Sequence, residues 1–215
     1  NEKKHIWVGM ARETAHQLGT PVSALMGWVD WLKNHPDKTE EIIPEMEADL
    51  QRLEQIGRRF SKMGSKSDFE ELDLSERVEK IVNYLTKRLP SIGKKVKLVN
   101  DIQPGVFIRA NGSLLAWSIE NIIRNGIDAI EREDGMISIS LKKDVDGIKI
   151  RIEDNGKGIP KKDWKNIFRP GFSTKQTGWG LGLSLSSRIV EEIHGGSLKV
   201  ISSSIDIGTI IEISL

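Results

Sequence analysis

The sequence contains no cysteine. Disulfides, thiolate catalysis and thiolate-bound zinc are therefore excluded, and the absence fits a reducing compartment. Charge of one sign is also lacking: 32 Lys and Arg stand against 31 Asp and Glu, for a net +1 at neutral pH. Composition thus makes no case for nucleic acid as a partner, nor for an anionic membrane surface. No apolar run approaches the ~20 residues that span a bilayer. Two common phosphate-binding signatures are missing as well. There is no Gly-x4-Gly-Lys-Ser/Thr and no Gly-x-Gly-x-x-Gly.

What is present suits a soluble globular protein, with 38% hydrophobic and 29% charged residues. At 215 residues there is room for one large domain or two small ones. The chain opens at Asn1 in a helical pattern, with neither Met nor a signal peptide, so it reads as a fragment. The expectation is a cytoplasmic piece with no membrane contact of its own. The full-length protein could be anchored by a segment further upstream.

Residues 1–34 read as one long helix, because Ile6, Met10, Leu18, Val22, Leu25, Val29 and Leu32 recur mostly at threes and fours. Pro21 lies inside this pattern and cannot donate to the Gln17 carbonyl, which predicts a bend. His35-Pro36-Asp37 stops the helix. Residues 38–63 read as a second helix, with Thr39 as its candidate cap. Ile43, Met46, Leu50, Leu53, Ile56 or Gly57, Phe60 and Met63 form a bundle seam along it. A lone hairpin leaves much of both stripes wet. Two copies are therefore expected to close into a four-helix bundle, a homodimer through residues 1–63.

Gly64-Ser65-Lys66-Ser67-Asp68 is a polar break that reads as a hinge. Beyond it the period changes. Helices are expected over 74–89, 114–130 and 183–194, and strands over 96–102, 106–108, 136–141, 148–152, 198–201 and 210–213. Asp146-Gly147 signals a hairpin, and Gly195-Gly196 ends the last helix. The expected fold class is α plus α/β: a helical hairpin over residues 1–66, then an α/β sandwich over 67–215. The six tryptophans are read mostly as core or seam residues, with Trp179 apart, between glycines.

Chemistry concentrates in that second part. Asp154 ends a strand and precedes Gly156 and Gly158. A carboxylate fixed there can accept from the exocyclic amine of adenine, and the glycines let backbone approach a flat ring. Gly178, Gly180 and Gly182 open an apolar helix, where bare N–H groups attract phosphate. Asn121 and Asn125 share a helix face, and the Asn125 oxygen suits Mg²⁺.

Together these stretches resemble the GHKL (Bergerat) ATP-binding family, and more closely the catalytic domain of sensor histidine kinases. The asparagine box is Glu120–Ala129, the first glycine box Asp154–Ile159, the phenylalanine box Phe168–Lys175 and the second glycine box Gly178–Leu183. Gly208-Thr209 matches the family's last motif, whose Thr reaches toward adenine. The resemblance covers residues 69–215. It implies an ATP and Mg²⁺ site built from Asn121, Arg124, Asn125, Asp128, Asp154, Gly156, Gly158, Ile159, Phe168, Lys175, Gly178, Gly180, Leu181, Gly182 and Thr209. Asn125 is the implied metal ligand. Phe168–Gly178 is the implied lid, and Lys175 a phosphate contact. In hydrolysing members a Glu stands four residues before the magnesium Asn. Here that position is Asn121, and an amide cannot take a proton from water.

On the first helix, His16-Gln17-Leu18-Gly19-Thr20-Pro21 resembles the phosphoacceptor box of histidine kinases. A neutral imidazole is a ready nucleophile at neutral pH. The family places an acid after the His to take the second ring proton, where this sequence has Gln17, and it usually has Arg where this sequence has Gly19. Glu13, one turn before His16, is the candidate substitute base. Thr20, one turn after, is in the family the residue that positions water for dephosphorylating a partner. His5, His35 and His194 lack such context and are assigned no role.

The sequence is thus read as a kinase core that phosphorylates His16 from ATP and passes the phosphoryl to a response regulator receiver domain. A phosphatase-dominant or weak kinase is the alternative that Gln17 motivates. A non-catalytic ATP-gated dimer is another, and a hydrolytic ATPase is disfavoured by Asn121.

Overall fold

The computed structural model describes residues 2–63, 69–89, 95–169, 172 and 182–215; residues 2–14, 16, 17, 55, 58–63 and 88 are described by backbone alone. The chain divides into two compact units, residues 1–66 and 67–215.

The first unit is a helical hairpin. α1 (Glu2–Asn34) runs through Pro21 without interruption of the helix, and α2 (Thr39–Met63) packs back along it. His35 and a single 3-10 turn, Pro36–Lys38, join them, so the helix stops where the His-Pro pair predicts. Thr39 does not cap α2 by accepting from it. Its hydroxyl donates backward to the Pro36 carbonyl at 2.7 Å. Trp28 crosses the hairpin, its indole N–H donating to Asp49 at 3.3 Å. Trp31 departs from the seam assignment: it is exposed and stacks on His35, with ring centroids 4.3 Å apart. Of the ten expected seam residues whose side chains are described, six are covered: Leu18, Leu25, Leu32, Met46 and Leu53 are half-buried, and Ile56 is buried. Val22, Val29, Ile43 and Leu50 remain exposed, at 41–54%.

The second unit is a two-layer α/β sandwich. Its elements are β1 (Phe69–Asp73), α3 (Leu74–Arg88), β2 (Val96–Ile102), β3 (Phe107–Asn111), α4 (Gly112–Ala129), β4 (Gly135–Asp144), β5 (Gly147–Asp154), α5 (Gly182–Arg188), β6 (Ser197–Ser204) and β7 (Gly208–Ser214). Five strands form one sheet in the order β2-β4-β5-β7-β6, with β2–β4 parallel and the other pairs antiparallel. β1 and β3 make a separate antiparallel ribbon. Period-2 alternation puts Ile137, Ile139, Leu141, Ile148, Ile150, Ile152, Ile211 and Ile213 on one sheet face. That face packs with Leu85 of α3 and Leu115, Ile119, Ile122 and Ile123 of α4 in a single core. β4 and β5 turn at Asp146-Gly147 with Asp144 opposite Gly147, as the dipeptide predicts.

Three features depart from the sequence expectation. β1 was not anticipated: of Phe69-Glu70-Glu71-Leu72-Asp73 only Leu72 is buried, so no alternation marks it. It exists because β3 offers it a complete register, Phe69 opposite Asn111 through Asp73 opposite Phe107. The strand expected at 106–108 runs over Phe107–Asn111, and Asn111 caps α4 by accepting from Leu114 N at 3.1 Å. The last helix changes type after Arg188 and continues as a π turn, Ile189–Ile193.

Buried Ser75, at the start of α3, ties the helix to the β2–β3 turn. Its hydroxyl donates to the Gln103 carbonyl at 2.6 Å and accepts from Val106 N at 3.0 Å. Ser75→Ala leaves a buried N–H unpaired, so chemical denaturation should show the second unit destabilised by about 1–3 kcal/mol.

Candidate nucleotide-binding site

The site begins with Asp154, the last residue of β5. β4 and β7 flank it in the sheet, with Ile137 and Thr209 as its register partners. Its carboxylate is buried and accepts from the backbone N–H groups of Gly156, at 2.9 Å, and Thr209. Burial dominates nonetheless, and pushes the carboxyl up to about 6 against the two hydrogen bonds that lower it. α4 can lie over Asp154 because residue 126 is glycine. A Cβ there would stand 2.9 Å from Ile137 Cδ1 and 3.4 Å from Asp154 Cβ.

The loop after Asp154 is anchored on three sides. Asn155 accepts from Met136 N at 2.7 Å and donates to the Asp134 carbonyl at 2.9 Å. Lys157 N donates to the carbonyl of Ala129, at the end of α4, at 3.0 Å. A side chain on Gly156 would sit 2.6 Å from that same carbonyl. Gly158 has φ +75° and abuts the Ser204 carbonyl, so both space and conformation call for glycine. On the third side, Asp206 N donates to the Lys157 carbonyl at 2.9 Å. Ile159 N donates to Ser203 Oγ at 2.7 Å, which in turn lies 2.8 Å from the hydroxyl of buried Thr209.

α4 supplies Asn121, Arg124, Asn125 and Asp128 at i, i+3, i+4 and i+7, hence on one face. Asn125 donates its amide nitrogen to the Asn121 carbonyl at 2.9 Å, leaving Oδ1 as the atom that can meet a cation. Among the described residues no group of three or more His, Asp or Glu could hold a metal. One amide oxygen suits a Mg²⁺ carried largely by phosphates and water. Asn121 donates to Ser186 Oγ at 3.0 Å, and Ser186 donates to the Gly182 carbonyl at 3.1 Å. A Cβ on Gly182 would lie 2.9 Å from Asn121 Oδ1, so the first residue of α5 rests directly on this amide. Arg124 pairs with buried Glu120, Nη2 to Oε1 at 2.9 Å.

The structure thus brings together Asp154, Gly156, Gly126 and Thr209 at one end of the sheet, and Asn121 with Gly182 where α4 meets α5. Ile159 and Phe168 are half-buried against the core. Lys175, Gly178, Gly180 and Leu181 lie outside the described residues, as does Trp179. Glu13, His16 and Gln17 lie on α1, described by backbone alone, and Thr20 is exposed on the same helix. Sequence reasoning missed Gly126, Asn155, Ser186 and Ser203. Only Gly126 and Asn155 gave a signal, each sitting inside a motif already singled out.

An acid-led glycine loop beneath a helix that carries paired asparagines defines a GHKL-type nucleotide-binding domain. Residues 111–215 match the family model described as histidine kinase-, DNA gyrase B-, and HSP90-like ATPase. Sporulation kinase B of Bacillus subtilis (strain 168) is 27% identical across 100% of this chain and 51% of its own length. The chain spans about half or less of the length of the curated relatives it matches, 51%, 27% and 48% in three cases. Two solved structures share the fold. The catalytic domain of histidine kinase ThkA aligns with TM-score 0.61 and 22% identity over 68% of this chain and 94% of its own. ThkA in complex with the response regulator protein TrrA aligns with TM-score 0.60 and 21% identity over 99% of this chain and 63% of its own.

Only the ionised form of Asp154 would be a full acceptor for an adenine amine, so a nucleotide held that way should bind more tightly as pH rises between about pH 5 and about pH 7.5 in a calorimetric titration. Asp154→Asn should weaken binding by roughly tenfold or more and flatten that profile. The unliganded fold shows the opposite trend. Its raised value means the fold holds this proton more tightly than the unfolded chain, so the group's contribution to stability is lost as pH rises from about 4 through about 6.

Proposed function

We propose that this chain is the ATP-dependent protein-histidine kinase core of a two-component system, with His16 as phosphoacceptor. The observation that carries the reading is Asn121. Where a hydrolysing site needs a carboxylate near the γ-phosphate, this one has an amide already committed to Ser186. Such a pocket binds ATP without activating water, so the phosphoryl group needs another acceptor. In this proposal the ring nitrogen of His16 attacks the γ-phosphorus in line with the departing ADP oxygen. The other ring nitrogen then sheds its proton to Glu13, since Gln17 cannot take it. Asn125, Arg124, Lys175 and the second glycine box hold the triphosphate. A Mg²⁺ held by Asn125 would supply charge neutralisation across the phosphates.

Residues 1–66 serve as the dimerisation and phosphoacceptor domain, and residues 67–215 as the catalytic domain. The exposed Val22, Val29, Ile43 and Leu50 support a homodimer, because a second hairpin would bury them. The receiver domain of a response regulator is the proposed phosphoryl acceptor, in line with the ThkA–TrrA complex whose fold the chain shares. No helix among the described residues is long and apolar enough to cross a membrane. The proposed location is cytoplasmic, within a longer protein.

Incubation with γ-labelled ATP and Mg²⁺ tests the reading. The expected outcome is acid-labile, alkali-stable label on His16, absent in His16→Gln. Free phosphate without label would mean an ATPase, and neither product would leave an ATP-gated dimer. Glu13→Gln should slow labelling by roughly tenfold or more; an unchanged rate removes Glu13 as the base. Gln17 also favours a second reading, in which dephosphorylation of the regulator dominates. Thr20→Ala should then abolish turnover of phosphorylated regulator while leaving His16 labelling in place.

A further inference from the structure

His194 follows the π turn, and both nitrogens of its ring are committed to backbone. Nδ1 lies 2.8 Å from the Ile189 carbonyl, which can only accept, so Nδ1 carries the proton. Nε2 lies 3.1 Å from the backbone N–H of Asn111, which can only donate, so Nε2 is bare. One neutral tautomer satisfies both bonds. Burial favours that state, holding the imidazole below its ordinary value. The ring also meets Phe69 of β1, with centroids 5.1 Å apart.

The two backbone partners matter because of what they belong to. Asn111 is the cap of α4, the helix that carries Asn121 and Asn125. Ile189 opens the π turn that continues α5, and α5 begins at Gly182 of the second glycine box. At the pocket end, Asn121, Ser186 and Gly182 hold the two helices together. At the far end, His194 does the same through Asn111 and Ile189. A helix pair pinned only at the pocket could slide or splay, whereas two pins fix its register.

We propose that His194 is a positioning residue for nucleotide binding. By accepting from the α4 cap and donating to the π turn, it sets the register in which α4 and the start of α5 meet one triphosphate. The proposal rests on the nucleotide-site reading above. An ordinary structural histidine at this place would contribute to folding stability alone.

The test uses the whole 215-residue chain. His194→Phe keeps a ring against Phe69 and loses both hydrogen bonds. His194→Gln keeps a donor and an acceptor. The dissociation constant for Mg-ADP is measured by calorimetry well below each variant's melting temperature. His194→Phe should weaken binding by roughly tenfold, and His194→Gln should recover most of the loss. A Phe variant that melts earlier yet binds Mg-ADP as tightly as the parent overturns the proposal. If that variant does not fold, nitrogen NMR of the labelled parent at neutral pH decides. Addition of Mg-ADP should then shift the His194 ring-nitrogen signals, and ring signals that Mg-ADP leaves unmoved overturn the role. Loss of Mg-ADP binding by the parent itself would instead reject the nucleotide site.

Discussion

The second unit is organised around a buried carboxylate. Asp154 sits where a strand in the middle of the sheet ends beneath a helix, and its charge is only partly compensated by two backbone N–H groups. A group in that position costs stability in the empty fold. Its surroundings explain why it is tolerated. Gly126 lets the helix approach, Gly156 and Gly158 let the loop turn back on α4 and the β6–β7 hairpin, and Thr209 closes the other side. Each neighbour is fitted to an acceptor whose burial is only partly offset, so the strain in the empty fold is electrostatic.

The same economy of contacts appears on the helical side of the pocket. Asn125 spends its donor inside α4 and keeps its oxygen. Asn121 spends its donor on Ser186 and leaves its oxygen against Gly182. Two amides of one type, four residues apart, thus have different tasks. One keeps its oxygen clear of the helix, and the other holds the start of α5. An enzyme that splits water would need an acid at the second position. Using that position as a joint between helices is compatible with transfer to another side chain.

Much of this was legible in the sequence because it rests on periodicity and on local constraint. The three-four stripes of α1 and α2, the Asp-Gly turn between β4 and β5, and the acid-glycine loop each leave a mark within a few residues. What escaped was relational. β1 has one buried residue and is a strand only because β3 pairs with it. Ser186 and Ser203 are serines among serines until Asn121 and Thr209 come within reach. His194 carries no motif, and its importance lies 83 residues away at Asn111. Thr39 fits a capping pattern, yet the proline turn before it offers its hydroxyl a better partner.

The anchoring of Asn155 has a chemical consequence. The sequence holds three Asn-Gly pairs, at 111–112, 125–126 and 155–156; the last two lie at the candidate site and the first caps the helix that supplies it. In a loose chain such pairs age, because the glycine nitrogen attacks the asparagine amide and closes a succinimide. Here the Gly156 nitrogen is turned toward Asp154, and the Asn155 amide is held by Met136 and Asp134. Asn125 is fixed within a helix, and Asn111 is bound as its cap. The fold holds all three asparagines away from the geometry of deamidation, so a molecule that spends time unfolded ages first at these positions.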